Sequence, residues 1–167
     1  MSDENQNGLL AFKTLGEFLD EDGWYPQQRE DALVYQMGFA GRSGRFTVYA
    51  IVRDDLEQLL LYAIAPNNVP EDKRRDAAEF ITRANYGLRI GNFEMDFSDG
   101  EIRYKSSLDF EDEVLSPALI KNAIYPAVQT MDRYFPGLMS VIFAGKTPVD
   151  AIAEIENPAP ADDSDDE

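Results

Sequence analysis

The reactive side chains that this sequence lacks limit its chemistry more than those it contains. Its 167 residues include no histidine and no cysteine. Histidine is the usual general base at neutral pH, and cysteine is required for thiolate nucleophiles, thiolate metal sites and disulfides. The serines at positions 43, 106 and 107 therefore have no histidine to activate them, and none begins a Ser-x-x-Lys arrangement. We predict that the chain is not an enzyme, has no catalytic residue and uses no cofactor.

Hard cations such as Ca²⁺ need only oxygen ligands, so the acidic cluster at Asp109, Glu111, Asp112 and Glu113 is the first candidate metal site. A calcium loop needs alternating oxygen ligands around a tight glycine turn. This segment contains no glycine, and Phe110 interrupts it. The pattern favours a solvated loop, and we predict no metal site.

Glu94 and Asp96 resemble a catalytic carboxylate pair. They precede Asp99-Gly100, a dipeptide favoured in two-residue hairpin loops. Such a loop would place Glu94 opposite Lys105 and Asp96 opposite Arg103, so the spacing favours surface ion pairs over acid–base chemistry. The same register predicts an apolar side on which Phe97 faces Ile102, Met95 faces Tyr104, and Phe93 faces Ser106.

The glycines at 38, 41 and 44 flank Arg42 and Arg45 and could suggest a phosphate-binding loop. Their spacing matches neither a P-loop nor a dinucleotide-binding fingerprint. A hairpin turn over Gly41-Arg42-Ser43-Gly44 is the better interpretation.

Apolar periodicity predicts the elements that position these residues. Helical spacing at Leu9, Phe12, Leu15 and Leu19 is followed by three strand-like runs between residues 31 and 65. The third run, residues 59–64, is continuously apolar, which predicts burial on both faces. A helix then begins near Pro70, with Ala77, Phe80, Ile81 and Ala84 on one side. The fold class is α+β: helix, three-strand antiparallel meander, helix, two-strand hairpin, long broken C-terminal helix.

The C-terminal helix begins at Ser116-Pro117, which is typical of a helix start. Pro126 should bend it, and Pro136-Gly137 should divide it. Its apolar side chains either cover the sheet alone or also form a dimer interface or peptide groove, because methionine-rich surfaces adapt to varied partners. The candidate partner-binding or dimer-interface residues are Ile124, Val128, Met131, Tyr134, Phe135, Leu138 and Met139.

Charge separates the C-terminus from the rest of the chain. The net charge is −17, from 32 acidic and 15 basic residues, and all eight charged residues after Lys146 are acidic. We predict one domain over residues 1–147 and an acidic, mostly disordered tail over residues 148–167, with a short helical turn near 149–155. Strong negative charge disfavours nucleic acid, and no apolar run is long enough to span a membrane. The polar start lacks the features of a signal peptide, so we expect a cytoplasmic protein.

Three segments carry a resemblance to a known family. They are Arg83-Ala84-Asn85-Tyr86-Gly87-Leu88, the stretch Ile90-Gly91-Asn92-Phe93-Glu94-Met95-Asp96 with Asp99-Gly100-Glu101-Ile102-Arg103-Tyr104-Lys105 after it, and Thr130-Met131-Asp132-Arg133-Tyr134-Phe135-Pro136-Gly137. In these the chain resembles the YbjN-domain proteins, most closely the type common in cyanobacteria and plastids. The resemblance covers about residues 9–145.

The resemblance implies a fold like that of type III secretion chaperones. Many members are described as sensory transduction regulators without a defined reaction, and the chaperone-like relatives are small acidic dimers that bind an extended segment of a partner. We therefore predict a non-catalytic protein-binding module: a chaperone, adaptor or assembly factor that can form a homodimer. Acidic rims would favour a partner with basic flanks. The alternative is a sensory or regulatory protein that binds a small ligand in an apolar pocket. A third hypothesis is an unrecognised metal-dependent enzyme.

Overall fold

The computed structural model describes residues 4–158 and residue 160 of the chain. The predicted α+β class is confirmed. The elements, in chain order, are α1 (Glu4–Glu21), β1 (Gln27–Gln28), β2 (Val34–Ala40), β3 (Arg45–Arg53), β4 (Gln58–Ile64), a 3₁₀ turn (Glu71–Lys73), α2 (Arg74–Asn85), β5 (Asn92–Met95), β6 (Ile102–Asp109), α3 (Pro117–Phe143) and α4 (Pro148–Glu156).

The six strands form one antiparallel sheet in the order β1-β2-β3-β4-β6-β5. Its aromatic contacts with helices involve one face only: Phe12 of α1 stacks on Tyr35, and Phe135 of α3 meets Phe46 edge to face. The predicted burial of β4 on both faces is wrong. Alternate residues of β4 are buried, whereas Leu60, Tyr62 and Ile64 are only half-buried, because the helices all lie on the other side.

The β5–β6 hairpin pairs two residues out of its predicted register. Met95 lies opposite Ile102, Phe93 opposite Tyr104 and Glu94 opposite Arg103, so the two-residue loop is wrong. The loop spans 96–101 because the Asp96 carboxylate accepts hydrogen bonds from the amide and hydroxyl of Ser98, which stabilises a wider turn. A two-residue shift preserves which side chains share a face. Phe97 therefore leaves the sheet and is exposed.

Helix α3 is continuous from residue 117 to residue 143, so the predicted division at Pro136-Gly137 is wrong. Pro136 has no N–H to donate to the carbonyl of Asp132. That carbonyl lies 2.7 Å from the hydroxyl of Ser43, which can donate to it. Gly137 allows close helix packing, since a Cβ there would lie 2.4 Å from Ile155 Cδ1 of α4 and 3.0 Å from Phe80 Cε2 of α2.

Residues 148–156 were predicted to begin the tail but form α4, which packs on α2 and α3. Ala151 and Ile152 are buried there, and the Tyr134 hydroxyl donates to Glu156 at 2.9 Å. Burial, with this hydrogen bond and the nearby negative charge, raises the pKa of Tyr134 to about 12. The acidic end of the predicted tail, residues 161–167, lies outside the described residues.

Two polar side chains in the segments that resemble the YbjN-domain proteins connect elements that are distant in sequence. The Asp132 carboxylate of α3 accepts hydrogen bonds from the backbone amides of Arg42 and Ser43 at 2.9 and 2.8 Å, which holds the β2–β3 turn. The Asn85 amide at the end of α2 both accepts from the Phe93 amide and donates to the Phe93 carbonyl. Asn85 therefore substitutes for a neighbouring strand along the outer edge of β5.

Candidate functional site

The seven residues predicted as a partner or dimer interface lie under the surface of the folded chain. Six are buried, and Met139 is partly buried against the same core. A partner could contact the six buried residues only if α3 left the sheet, so the predicted set does not form a surface of the folded chain. The six buried residues are Ile124, Val128, Met131, Tyr134, Phe135 and Leu138.

The available surface is the side of the sheet that faces away from the helices, which we call the open face. It is formed by alternate side chains of strands β2 to β6. The register aligns these side chains in rows that cross the strands. One row runs Val34, Ile51, Leu60, Ser107; the next runs Gln36, Tyr49, Tyr62, Lys105, Asn92; a third runs Gly38, Thr47, Ile64, Arg103, Glu94.

Apolar and aromatic side chains occupy the centre of the open face. Tyr49 lies directly opposite Tyr62, and Ile51 lies directly opposite Leu60, on neighbouring strands β3 and β4. All four are half-buried, shielded by their neighbours within the sheet. A contiguous apolar patch of this kind marks an interaction surface more often than a scattered one does.

The open face carries positive charge in an acidic protein. Its strand residues include the bases Arg45, Arg53, Arg103 and Lys105 and the acids Glu94 and Asp109. These residues sum to +2, whereas the rest of the chain keeps 11 bases and 30 acids and sums to −19. Three of those other acids border the face: Asp55 pairs with Arg53 at 3.3 Å, and Asp96 and Glu101 lie beside Arg103. This segregation of charge selects the sign of a partner.

One carboxylate joins the bases on β6. Glu94 of β5 contacts Arg103 Nε at 2.8 Å and Lys105 Nζ at 2.5 Å, and the Arg103 guanidinium lies 4.1 Å from the centre of the Tyr62 ring. Burial alone would raise the pKa of Glu94, but the hydrogen bonds from Lys105 and Arg103 outweigh it and hold that pKa below its usual value. Glu94 is therefore ionised at neutral pH. Asp96, the other carboxylate of the suspected pair, lies in the loop and bonds to Ser98 instead.

A hollow of about 310 Å³ lies on the β2 side of the open face, lined partly by Tyr25, Gln36, Gly38 and Thr47. It exists because Gly38 has no side chain, and a Cβ built there would meet no atom within 4 Å. Glycine within a strand commonly marks a place where another chain or ligand approaches closely. The hollow could hold one side chain of a partner.

Backbone amides of the acidic cluster, residues 109–113, donate to nearby carboxylates. Asp109 accepts from the Glu111 amide at 3.0 Å, and the Asp112 amide donates to Glu57. Within residues 4–158, no three Asp or Glu side chains converge as metal ligands would. Asp109 itself lies on the open face, where Gln58 donates to it.

Sequence reasoning missed the open face, although a signal was present. The continuous apolar run at residues 59–64 was predicted to be buried on both faces. Within residues 4–158 every helix packs on the other side of the sheet, so none of them covers the open face. An apolar strand without a second layer to cover it should have indicated an exposed binding surface.

Comparisons with known proteins agree on one family. The model of the YbjN family, described as "Putative bacterial sensory transduction regulator", matches residues 12–139. The solved structure of E. coli YbjN, described as "a putative transcription regulator", is similar with a TM-score of 0.55 and 12% identity, covering 80% of this chain and 89% of that one. No curated protein matches the chain. No helix within the described residues is long and apolar enough to cross a membrane. The chain belongs to the YbjN family.

Proposed function

We propose that this chain is a non-catalytic regulator that acts by binding a partner protein through the open face. The observation that best supports this proposal is a sheet face with an apolar, aromatic centre, whose strand residues sum to +2 in a chain of −17. The small number of acidic side chains on its strands distinguishes this face from the rest of the surface. The description of its family as regulatory supports a role without chemistry.

Chaperone, adaptor and assembly-factor roles are versions of the same proposal. Each needs a surface that accepts an apolar segment of a client, and the rows of the open face provide one. The earlier expectation of a partner with basic flanks is revised, because basic side chains border this surface. A homodimer through the open face is disfavoured, since two +2 faces repel, and light scattering across micromolar concentrations measures the oligomeric state.

Site-specific photo-crosslinking tests the proposal. A benzophenone amino acid at Tyr49, in the centre of the open face, should crosslink one defined partner in cells that express the protein. The same group at Tyr86, which is 91% exposed elsewhere on the molecule, is the matched control. Equal crosslinking patterns from Tyr49 and Tyr86, or none from Tyr49, would contradict a role for the open face.

A second candidate function, sensing of a small ligand, is favoured by a groove beside α3. The groove holds about 660 Å³ and is lined by Ile90, Lys121, Asn122, Tyr125, Pro126 and Gln129. Pro126 has no N–H to donate to the Asn122 carbonyl, so this acceptor is available beside two side-chain amides and a lysine. Native mass spectrometry of the purified protein should then show a bound small molecule that Pro126→Ala weakens. A mass equal to that of the bare chain would exclude a retained ligand.

A further inference from the structure

The arrangement around Glu94 indicates what kind of segment binds the open face. We infer that the partner contributes an acidic, apolar segment in extended conformation, and that one of its carboxylates replaces Glu94 on Arg103 and Lys105. This inference rests on the proposed function. It assigns to Glu94 the role of an internal competitor for the site.

Glu94 does not occupy all the hydrogen-bond donors of the two bases, Arg103 and Lys105. Arg103 contacts it through Nε alone, and among the described residues its two terminal nitrogens donate no hydrogen bond. A guanidinium pairs best with a carboxylate through two parallel hydrogen bonds. An incoming carboxylate could therefore take the terminal nitrogens of Arg103, together with Lys105, in a geometry that Glu94 does not reach.

Tyr62 holds the guanidinium in place for this exchange. The Arg103 guanidinium lies 4.1 Å from the centre of the Tyr62 ring, and its side chain is 38% exposed. Stacking on an aromatic ring fixes the plane of the guanidinium and lowers the entropy lost on binding. The cationic site is thus both accessible and oriented.

The apolar rows suit an extended segment. A segment that joins the bases on β6 to the hollow on β2 crosses β4 and β3, a distance of roughly 14 Å at ~4.8 Å per strand. Side chains on one face of an extended chain recur about every 7 Å, so two such repeats cover this distance. Apolar side chains of the segment would contact Ile51, Leu60 and Tyr49, and one could enter the hollow above Gly38. The charge of −19 on the rest of the chain opposes a long polyanion such as nucleic acid, whereas a short acidic segment needs only the two bases Arg103 and Lys105.

Binding of two synthetic peptides to the full chain tests the inference by fluorescence anisotropy at low salt. The probe is an acetylated, amidated heptapeptide with glutamate at position 1, valine at positions 3 and 7, phenylalanine at position 5 and serine at the positions between them. Its glutamate and apolar side chains then share one face of the extended chain. Its partner has glutamine in place of glutamate. The glutamate peptide should bind at least about tenfold more tightly, a difference of about 1.4 kcal/mol. Equal affinity for the two peptides would overturn the acidic chemistry.

Variants of the chain locate the contact. Glu94→Gln should tighten binding of the glutamate peptide about 3- to 10-fold, because it frees both bases. Glu17→Gln on α1 is the control, since it removes the same charge and also breaks an ion pair, with Lys13. Arg103→Gln should abolish the preference for glutamate. Unchanged affinity in Glu94→Gln, or equal tightening in Glu17→Gln, would refute replacement of Glu94.

Gly38→Val provides an independent test that does not involve charge. The added side chain meets open space, and a β-branched residue suits a strand, so the variant should fold with unchanged or higher stability. It should weaken the glutamate peptide about fivefold or more by filling the hollow. Unaltered binding would remove the hollow from the site.

The outcomes separate this inference from the proposed function. Crosslinking at Tyr49 without any peptide preference would overturn the acidic segment and keep the open face as a binding surface. Loss of both results would overturn both. Tighter binding of a thymidine oligonucleotide than of the glutamate peptide would assign the bases to nucleic acid and refute the inference.

Discussion

Ser106 is the one polar residue buried in the core of the described chain, and we predict that its replacement by alanine stabilises the protein. The residue is 0% exposed on the helix-covered face of β6, opposite Leu61. Its hydroxyl is the only buried side-chain polar atom in the described residues without a hydrogen-bond partner. Burial of an unpartnered hydroxyl costs about 1–3 kcal/mol.

Removal of the oxygen leaves a small void. A void of roughly one water, about 15 Å³, costs about 0.4 kcal/mol at ~24 cal/mol per Å³. The burial penalty that the substitution removes is larger than the cost of this void, so Ser106→Ala should raise the free energy of unfolding by about 1–2 kcal/mol. For a chain of this size that corresponds to a melting temperature about 2–8 °C higher.

Urea and thermal unfolding, followed by circular dichroism, measure the effect. Ser107→Ala is the matched control because it makes the same chemical change at the next position of the same strand, on the open face. It should alter stability by less than about 0.5 kcal/mol. If Ser106→Ala destabilises the chain by 1 kcal/mol or more while Ser107→Ala does not, the hydroxyl is satisfied in the protein and the reasoning is refuted.

Three further predictions concern the contacts that hold the fold. Asp132→Asn should lower the free energy of unfolding by about 1–3 kcal/mol at neutral pH. Burial alone would raise the pKa of Asp132, but hydrogen bonds from Ser43 and Arg42 hold that pKa below its usual value. The stability that the carboxylate contributes is therefore present above its unfolded pKa and is lost as pH falls through the lower folded pKa. Urea unfolding at neutral and acidic pH checks this, and a difference from wild type that persists in acid would contradict it. Gly100→Ala should lower the free energy of unfolding by at least about 2 kcal/mol, since φ is +79° and the added Cβ would overlap the Val69 carbonyl. Gly87→Ala is the control, because Gly87 has a φ of +93° but lies in open space, so this variant reports the backbone strain alone. Thermal melting compares them, and equal costs would exclude the overlap. Deletion of residues 147–167 should lower the melting temperature and increase binding of a hydrophobic dye, because α4 packs on α2 and covers Gly137 of α3. Deletion of residues 158–167 is the control, and equal melting temperatures of the two truncated chains would show that α4 does not contribute to stability.

Local patterns predicted the elements well, and they failed where distant parts of the chain meet. Helical spacing found α1 and α2, and period-two alternation found β2 and β3, because these signals depend on neighbours in sequence. The Asp99-Gly100 dipeptide predicted a hairpin but the wrong register. The Asp96–Ser98 turn and the hydrogen bond from the Val69 amide to the Gly100 carbonyl select the longer loop, and only the second of these joins residues distant in sequence.

The C-terminal helix shows the same limit. Pro136-Gly137 is a local signal for a break, yet the helix continues because Ser43 can use the freed Asp132 carbonyl and the glycine admits α4. Neither compensation can be read from residues 130–140. The predicted interface residues are mostly buried for a related reason: the apolar residues of α3 can be found from the sequence, but the sequence does not say whether a sheet already covers them.

By itself, the sequence determined the absence of histidine and cysteine, the acidic balance, the α+β class and the residues that would be apolar on each element. Only the tertiary structure decided that all helices cover one face of the sheet and that Arg103, Lys105 and Glu94 meet on the other. The physical reason is that composition and periodicity report each residue's preference for burial, whereas a binding surface is the area left uncovered once those preferences compete for a limited number of partners.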